Sequence, residues 1–261
     1  MTSSTANSTD DPDLAVVRAG LLVIGDEILS GRTVDKNIHT LAERCTACGL
    51  QLSEVRVVGD QKVMIIAALQ AMMSCYDYVF TTGGIGPTHD DITAESVAEA
   101  FSVPLLEDAE ALEILRDHYG DEGLSDVRRL MARVPEGGRL IRNSISAAPG
   151  FMIKNVIVMA GVPKIVEVML DDVLSQLRVG RKVLSVSVQV HQPESRVADL
   201  LRDLDERNAD ISIGSYPFFR DGVVGATIVV RGFERAVLDD VVGKLTGRFK
   251  AADFSFQIVE G

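Results

Sequence analysis

A chain of 261 residues, 46% hydrophobic and 25% charged, has the composition of a globular protein long enough for one full-sized domain and a smaller one. Its formal charge of −12 excludes a bulk basic footprint for nucleic acid, so an anionic ligand must be met by backbone N–H groups, a few Arg or Lys, or a metal ion. No apolar run approaches the roughly 18–20 residues of a membrane helix, the start has no secretory pattern, and Cys45, Cys48 and Cys75 make no disulfide framework, so a cytoplasmic protein without membrane contact is expected.

Residues 1–14 are rich in Ser, Thr and Asp and read as a disordered tail. Leu21–Ile24 is a short apolar run, a buried strand closed by Gly25-Asp26. Ile38, Leu41, Cys45 and Cys48 recur at helical spacing, with Gly49 as the stop. Gln51–Val58 predicts a second strand, Lys62–Ser74 a helix, Tyr78–Phe80 a third strand, and Ala94–Phe101 the next helix. Strands alternating with helices predict a parallel sheet with right-handed crossovers.

Leu105–Tyr119 and Leu124–Val134 read as helices, Arg139–Arg142 and Gly150–Met159 as strands of a mixed sheet edge, and Pro163–Leu177 as a helix. The basic joint Arg178–Lys182 divides a first domain, 15–178, from a second, 179–261. In the second, Val183–Val190 is a strand and Glu194–Arg207 a helix. Ala209–Ser215 and Val223–Arg231 form a strand pair around Tyr216–Gly222, and Glu234–Phe249 is the last helix. That order predicts a small α+β domain.

The segment Thr81–Thr93 lies between a strand and a helix. Thr82, Gly83, Gly84, Gly86, Pro87 and Thr88 form a glycine-rich turn whose successive N–H groups suit an anion, with Thr93 as the expected N-cap of the following helix. Asp90 and Asp91 repel phosphate, and a divalent cation that takes carboxylate and phosphate oxygens together resolves the conflict. The competing reading is a plain glycine turn whose aspartates are solvated or cap the helix.

Ligands of an open parallel sheet bind beyond the carboxyl ends of its strands. The first three strands end at Asp26 and Glu27, at Asp60, and at the glycine loop, which describes a cleft lined by Asp26, Glu27, Asp60, Asp90 and Asp91. Asp35 reads as a helix cap, and Asn37 as a residue that reaches a ligand hydroxyl or amide edge. Cys45 and Cys48 share an apolar helix face and read as core rather than as a metal pair, and His89 reads as solvated.

Ile24–Gly31 with Asp35 and Asn37, Val57–Asp60 and Thr81–Glu95 together resemble the motif blocks of the MoaB/Mog molybdopterin-binding fold, in the branch of competence/damage-inducible protein A (CinA). The same module begins eukaryotic FAD synthases. The resemblance covers about 20–177 and weakens beyond, at Glu194-Ser195 and Gly214–Pro217. It implies a three-layer α/β/α fold with a mostly parallel sheet, self-association into a homo-oligomer, and a pterin or nucleotide ligand. For the CinA-like branch it implies hydrolysis of ADP-ribose or FAD with Mg²⁺, Mn²⁺ or Co²⁺.

On this chain that places Asp26, Glu27, Asp90 and Asp91 as catalytic residues and Asp60, Asp90 and Asp91 as metal ligands. Thr82, Gly83, Gly84, Gly86, Pro87, Thr88, Thr93, Asp35 and Asn37 would bind the phosphorylated small molecule. The family's Glu in its later Pro-Gly-Val-Pro block is Ile165 here, and no part of 178–261 resembles the family's terminal deamidase domain. The alternatives are a molybdopterin- or nucleotide-binding module without turnover, and a scaffold that no longer uses its cleft.

Overall fold

The computed structural model describes residues 16–220 and 222–260, so the tail expected over 1–14 lies outside the described residues. The chain forms two compact units, the second starting at Arg181. No helix among the described residues is long and apolar enough to cross a membrane.

The first unit opens with β1 (Val17–Ile24), α1 (Asp26–Leu29), α2 (Asn37–Cys48), β2 (Leu50–Val58), α3 (Lys62–Met73), β3 (Tyr78–Thr82) and α4 (Thr93–Phe101). It continues through β4 (Leu105–Glu107), α5 (Ala109–Tyr119), α6 (Asp126–Arg129), β5 (Arg133–Pro135), β6 (Arg139–Ile141), β7 (Gly150–Ile153), β8 (Val156–Met159) and α7 (Pro163–Leu174). The main sheet runs β2-β1-β3-β8-β7-β6. Its first four strands are parallel, and β7 and β6 are antiparallel additions.

Alternation along β3 sends Phe80 to one face and Val79 to the other. Phe80 packs in the layer closed by Leu41 of α2 and Met169 of α7. Val79 packs with Leu69 of α3 and Val97 of α4. The result is the expected three-layer α/β/α architecture. Burial pushes the Cys45 thiol up to about 12, with Cys48 adding to the effect. Cys45 is thus a neutral core side chain, whereas Cys75 is exposed. Iodoacetamide on the native protein at pH 8 is expected to label Cys75 and to spare Cys45 until denaturant is added, read by peptide mass mapping.

Several boundaries differ from the sequence expectation. Leu105–Glu107 is a strand paired with β5, and the helix waits until Asp108, whose carboxylate accepts the Ala111 N–H at 2.9 Å. The stretch 124–134 yields one helical turn capped by Ser125, a 3-10 turn, and β5. Gly150–Met159 is a hairpin: Lys154 takes φ 49° at the turn, and Asn155 donates to the Met73 and Tyr76 carbonyls at 3.1 Å each. Those two bonds seat β8 beside β3 in the middle of the sheet.

The second unit contains β9 (Leu184–Val190), α8 (Ala198–Glu206), β10 (Ile211–Arg220), β11 (Val223–Gly232), α9 (Arg235–Ala251) and β12 (Phe256–Glu260). The sheet order is β10-β11-β9-β12, antiparallel throughout. The expected helix over 194–207 breaks into a 3-10 turn and α8. β10 runs on through Tyr216 and Phe219, residues expected in a loop, and β12 completes the edge beyond the last predicted helix.

Candidate functional site at the carboxyl edge of the parallel sheet

The loops that follow β1, β2, β3 and β8 interlock. Gly25 N–H donates to the Val58 carbonyl at 3.0 Å, and Asp26 N–H donates to Asp60 Oδ2 at 2.8 Å. A Cβ on Gly59 would lie 2.3 Å from Asp26 Oδ1, so the Asp26 carboxylate rests on the glycine backbone. Gly83 has φ 101°, and a Cβ there would lie 2.1 Å from the Ile24 carbonyl oxygen. Only glycine meets both conditions. A Cβ on Gly161, after β8, would sit 3.2 Å from Gly83 Cα.

The glycine turn uses its own donors more than the sequence suggests. Gly83 N–H continues the strand ladder to the Met159 carbonyl at 3.2 Å, and Gly86 N–H donates to Asp91 Oδ1 at 2.7 Å. Among the described residues, no partner is seen for the Gly84 N–H, which leaves it as the donor of the three for a ligand. Thr93 does not cap α4. It is the first helical residue, its hydroxyl donates to the Gly83 carbonyl at 2.9 Å, and its N–H donates to the Gly84 carbonyl at 3.0 Å. It anchors the turn to the helix start.

Asp91 is likewise internal to the loop. Besides Gly86, it accepts the Thr88 N–H at 2.8 Å and the Thr88 hydroxyl at 2.5 Å on Oδ2. Asp90, next to it, is exposed, and its carboxyl lies below the ordinary range. The Thr88 hydroxyl, which also serves Asp91, leads that effect, followed by Asp90's own N–H. His89 is exposed, 3.9 Å from Asp90. Pro87 is half-buried, and behind the loop Asp91 and Ile85 face Met131 and Phe151 across a void of only about 20 Å³.

Burial raises the Asp60 carboxyl above the ordinary aspartate value, and the charges of Asp26, Glu27 and Asp90 add to it against the Asp26 N–H bond. Asp60 thus feels Asp26, Glu27 and Asp90 as like charges. A carboxyl raised on folding contributes its stability below the unfolded pKa and loses it as pH rises through the folded one. Asp60→Asn, studied in EDTA, is therefore expected to melt higher than wild type at pH 7 and no higher at pH 3, in calorimetric scans.

Asn37 opens α2 and is 4% exposed. Its Nδ2 donates to the Gly161 carbonyl at 2.8 Å, and its Oδ1 is buried with no partner among the described residues. Thr82 Oγ1, at the end of β3, is buried and unpartnered in the same way. Asp35 accepts the Ile38 N–H at 2.7 Å and so tethers the start of α2. Gly161, which the sequence marks only as the glycine of the family's Pro-Gly-Val-Pro block, holds Asn37 and backs Gly83. Only the return of β8 to the sheet centre reveals it.

Among the described residues no three Asp, Glu, His or Cys side chains stand together as a ready cation cage. Asp60, Asp90 and Asp91 do not form one, and Asp91 is occupied by its own loop. Asp60 and Asp90, set among acids, suit instead an ion that takes its other ligands from phosphate and water. Ile165, where the family block has Glu, is 9% exposed and packs in the core beside Val166 and Met169.

Residues 20–179 match the family model described as "Probable molybdopterin binding domain", and residues 182–256 match "FAD synthase, middle domain". The chain is a CinA-like member of the MoaB/Mog molybdopterin-binding family. An Archaeoglobus fulgidus protein is 34% identical over 76% of this chain and 84% of its own length. A protein of Caenorhabditis elegans described as a probable FAD synthase is 30% identical over 87% of this chain and 49% of its own length. The CinA-like chain therefore spans about half of that relative. The crystal structure of CinA from Thermoplasma acidophilum superposes with a TM-score of 0.59 at 34% identity, covering 62% of this chain and 98% of that one.

Proposed function

We propose that the first unit hydrolyses the diphosphate of a dinucleotide-type ligand of the ADP-ribose or FAD class, with a divalent cation (Mg²⁺, Mn²⁺ or Co²⁺) held by Asp60 and Asp90. The observation that carries this reading is the joint placement of the Gly84 N–H, unpartnered among the described residues, and of the acids Asp26, Glu27, Asp60 and Asp90 on one sheet edge. Backbone donors alone suit an anion and the acids alone suit a cation. A metal diphosphate satisfies both.

Bound there, a divalent cation supplies charge neutralisation on the diphosphate. The protein's own groups do the rest. Gly84 N–H and the first turn of α4 hold phosphate oxygens. Asn37 Oδ1 takes a donor of the ligand. Exposed Glu27 or Asp26 takes the proton of the water that attacks phosphorus, and the P–O bond to the second phosphate breaks, leaving two monophosphates.

The experiment is purified protein with each of the three metals and ADP-ribose or FAD, assayed for AMP by chromatography. Folded protein that releases no AMP with any metal overturns the proposal. The second reading, a molybdopterin or nucleotide binder without turnover, is favoured by one observation: Ile165 is an apolar core side chain at the position where the resembled family block has Glu. Calorimetry showing ligand binding in the same conditions, without product, would select it. We further propose self-association of the chain. A light-scattering mass of a single 28.2 kDa chain would overturn that.

A further inference from the structure

In the second unit both helices lie on one side of the sheet, because Val186, Val188, Ile211 and Ile228 pack beneath Leu201 of α8 and Leu245 of α9. Strand alternation and register put Tyr216 and Phe218 of β10, Thr227 and Arg231 of β11, and Gln189 of β9 on the opposite face. Two glycines lower the floor beneath the rings. A Cβ on Gly214 would lie 3.1 Å from the Tyr216 ring, and one on Gly225 would lie 2.3 Å from the Phe218 ring. Both rings therefore lie down over backbone, and Tyr216 keeps 49% of its surface exposed.

Each ring has a guanidinium beside it. Arg231 Nη2 donates to the Tyr216 hydroxyl at 3.1 Å, with its Cζ 5.9 Å from the ring centre. Arg220 Cζ is 5.5 Å from the centre of Phe218, and His191 meets that ring edge-on at 6.4 Å. None of the positions that the four strands direct to this face is Asp or Glu, in a chain with 38 acidic and 26 basic residues. A merely solvated face of so acidic a chain would share its acids. Among the described residues, this one offers flat rings, amide and hydroxyl groups and guanidinium donors, without a competing carboxylate on its strands.

We propose that this sheet face binds a nucleotide, with the base stacked on Tyr216 and the phosphate met by Arg231. Every base has a π-face, so an exposed ring accepts it without sequence reading, and a guanidinium pairs with phosphate through two donors. A single nucleotide, not a strand, is the occupant, because a net charge of −12 opposes a polyanion. The site is independent of the glycine loop in the first unit.

The test uses the full chain and 8-azido-AMP, with photolabelled peptides mapped by mass spectrometry and affinity followed by calorimetry with AMP. Label on the β10 peptide that contains Tyr216 is expected. Tyr216→Ala is expected to lose that label and to weaken the corresponding binding about tenfold or more, whereas Tyr216→Phe retains most of it. Arg231→Met is expected to weaken AMP and to leave adenosine unchanged. Asn37→Ala, in the first unit, should leave the β10 label intact, which separates this site from the loop. Label confined to the 82–95 peptide, or unchanged AMP binding by a folded Tyr216→Ala protein, overturns the proposal. Binding of an oligothymidylate more than tenfold tighter than AMP, lost in the same variants, overturns the single-nucleotide occupant.

Discussion

Gly83→Ala is expected to lower the melting temperature by roughly 6–12 °C and to abolish ligand binding at the loop. The added methyl would stand 2.1 Å from the Ile24 carbonyl oxygen, at a φ of 101° that side chains avoid. A left-handed non-glycine residue costs about 1–3 kcal/mol, and overpacking against fixed backbone adds about 1–3 more. About 3 kcal/mol in total corresponds to that shift at about 2–4 °C per kcal/mol for a unit of this size. Gly31→Ala separates the two effects, because Gly31 also has a positive φ, 71°, but nothing within 4 Å of the added carbon. It should cost only the backbone strain, about 1 kcal/mol. Circular-dichroism melts that show equal losses for the two variants would refute the close contact between the loops after β1 and β3.

Asp91→Ala is expected to cut the proposed hydrolysis about 100-fold while changing the melting temperature little, since displacing reacting groups by about 1 Å can cost that much in rate. The variant removes the acceptor of Gly86 N–H, Thr88 N–H and the Thr88 hydroxyl together, so Asp90 loses the frame that positions it. Asp91→Asn should be nearly as poor, because its amide NH₂ would face one or more of those donors. The outcome also distinguishes bracing from ligation. If Asp91 only braces Asp90, the maximal rate falls and the metal concentration for half-maximal rate rises less than it does when a ligand is removed. Asp60→Asn, which removes one, should raise the metal requirement further. A large rise in metal requirement for Asp91→Asn would return Asp91 to the set of ligands.

The parallel core was legible because its signals are local. Leu21–Ile24 and Tyr78–Phe80 are short apolar runs that end in glycine or threonine turns, and Leu41 and Cys45 repeat at helical spacing. Loop sequence was informative for position and less so for role. Thr93 reads as a cap, yet its hydroxyl donates to the Gly83 carbonyl ten residues back. Asp90 and Asp91 read as a pair, yet one points to solvent and the other closes on Gly86 and Thr88. No spacing rule separates adjacent aspartates, because the turn geometry decides which of them meets the N–H groups. β4, β5 and β12 were missed because short strands gain their stability from a partner strand, which for β12 is β9, far away in the sequence.

By itself, the sequence determined the alternation of strands and helices, the edge at which Asp26, Asp60 and the glycine loop emerge, and the membership of the chain in its family, since these rest on residue order and local periodicity. Only the tertiary structure decided that Gly161 backs Gly83 and holds Asn37, that Gly83 and Gly86 consume their own N–H groups, and that Tyr216 and Phe218 lie over glycines on an acid-free sheet face. Each of those facts is a contact between segments distant in sequence or facing across strands. Such contacts exist only once packing has brought the backbones together.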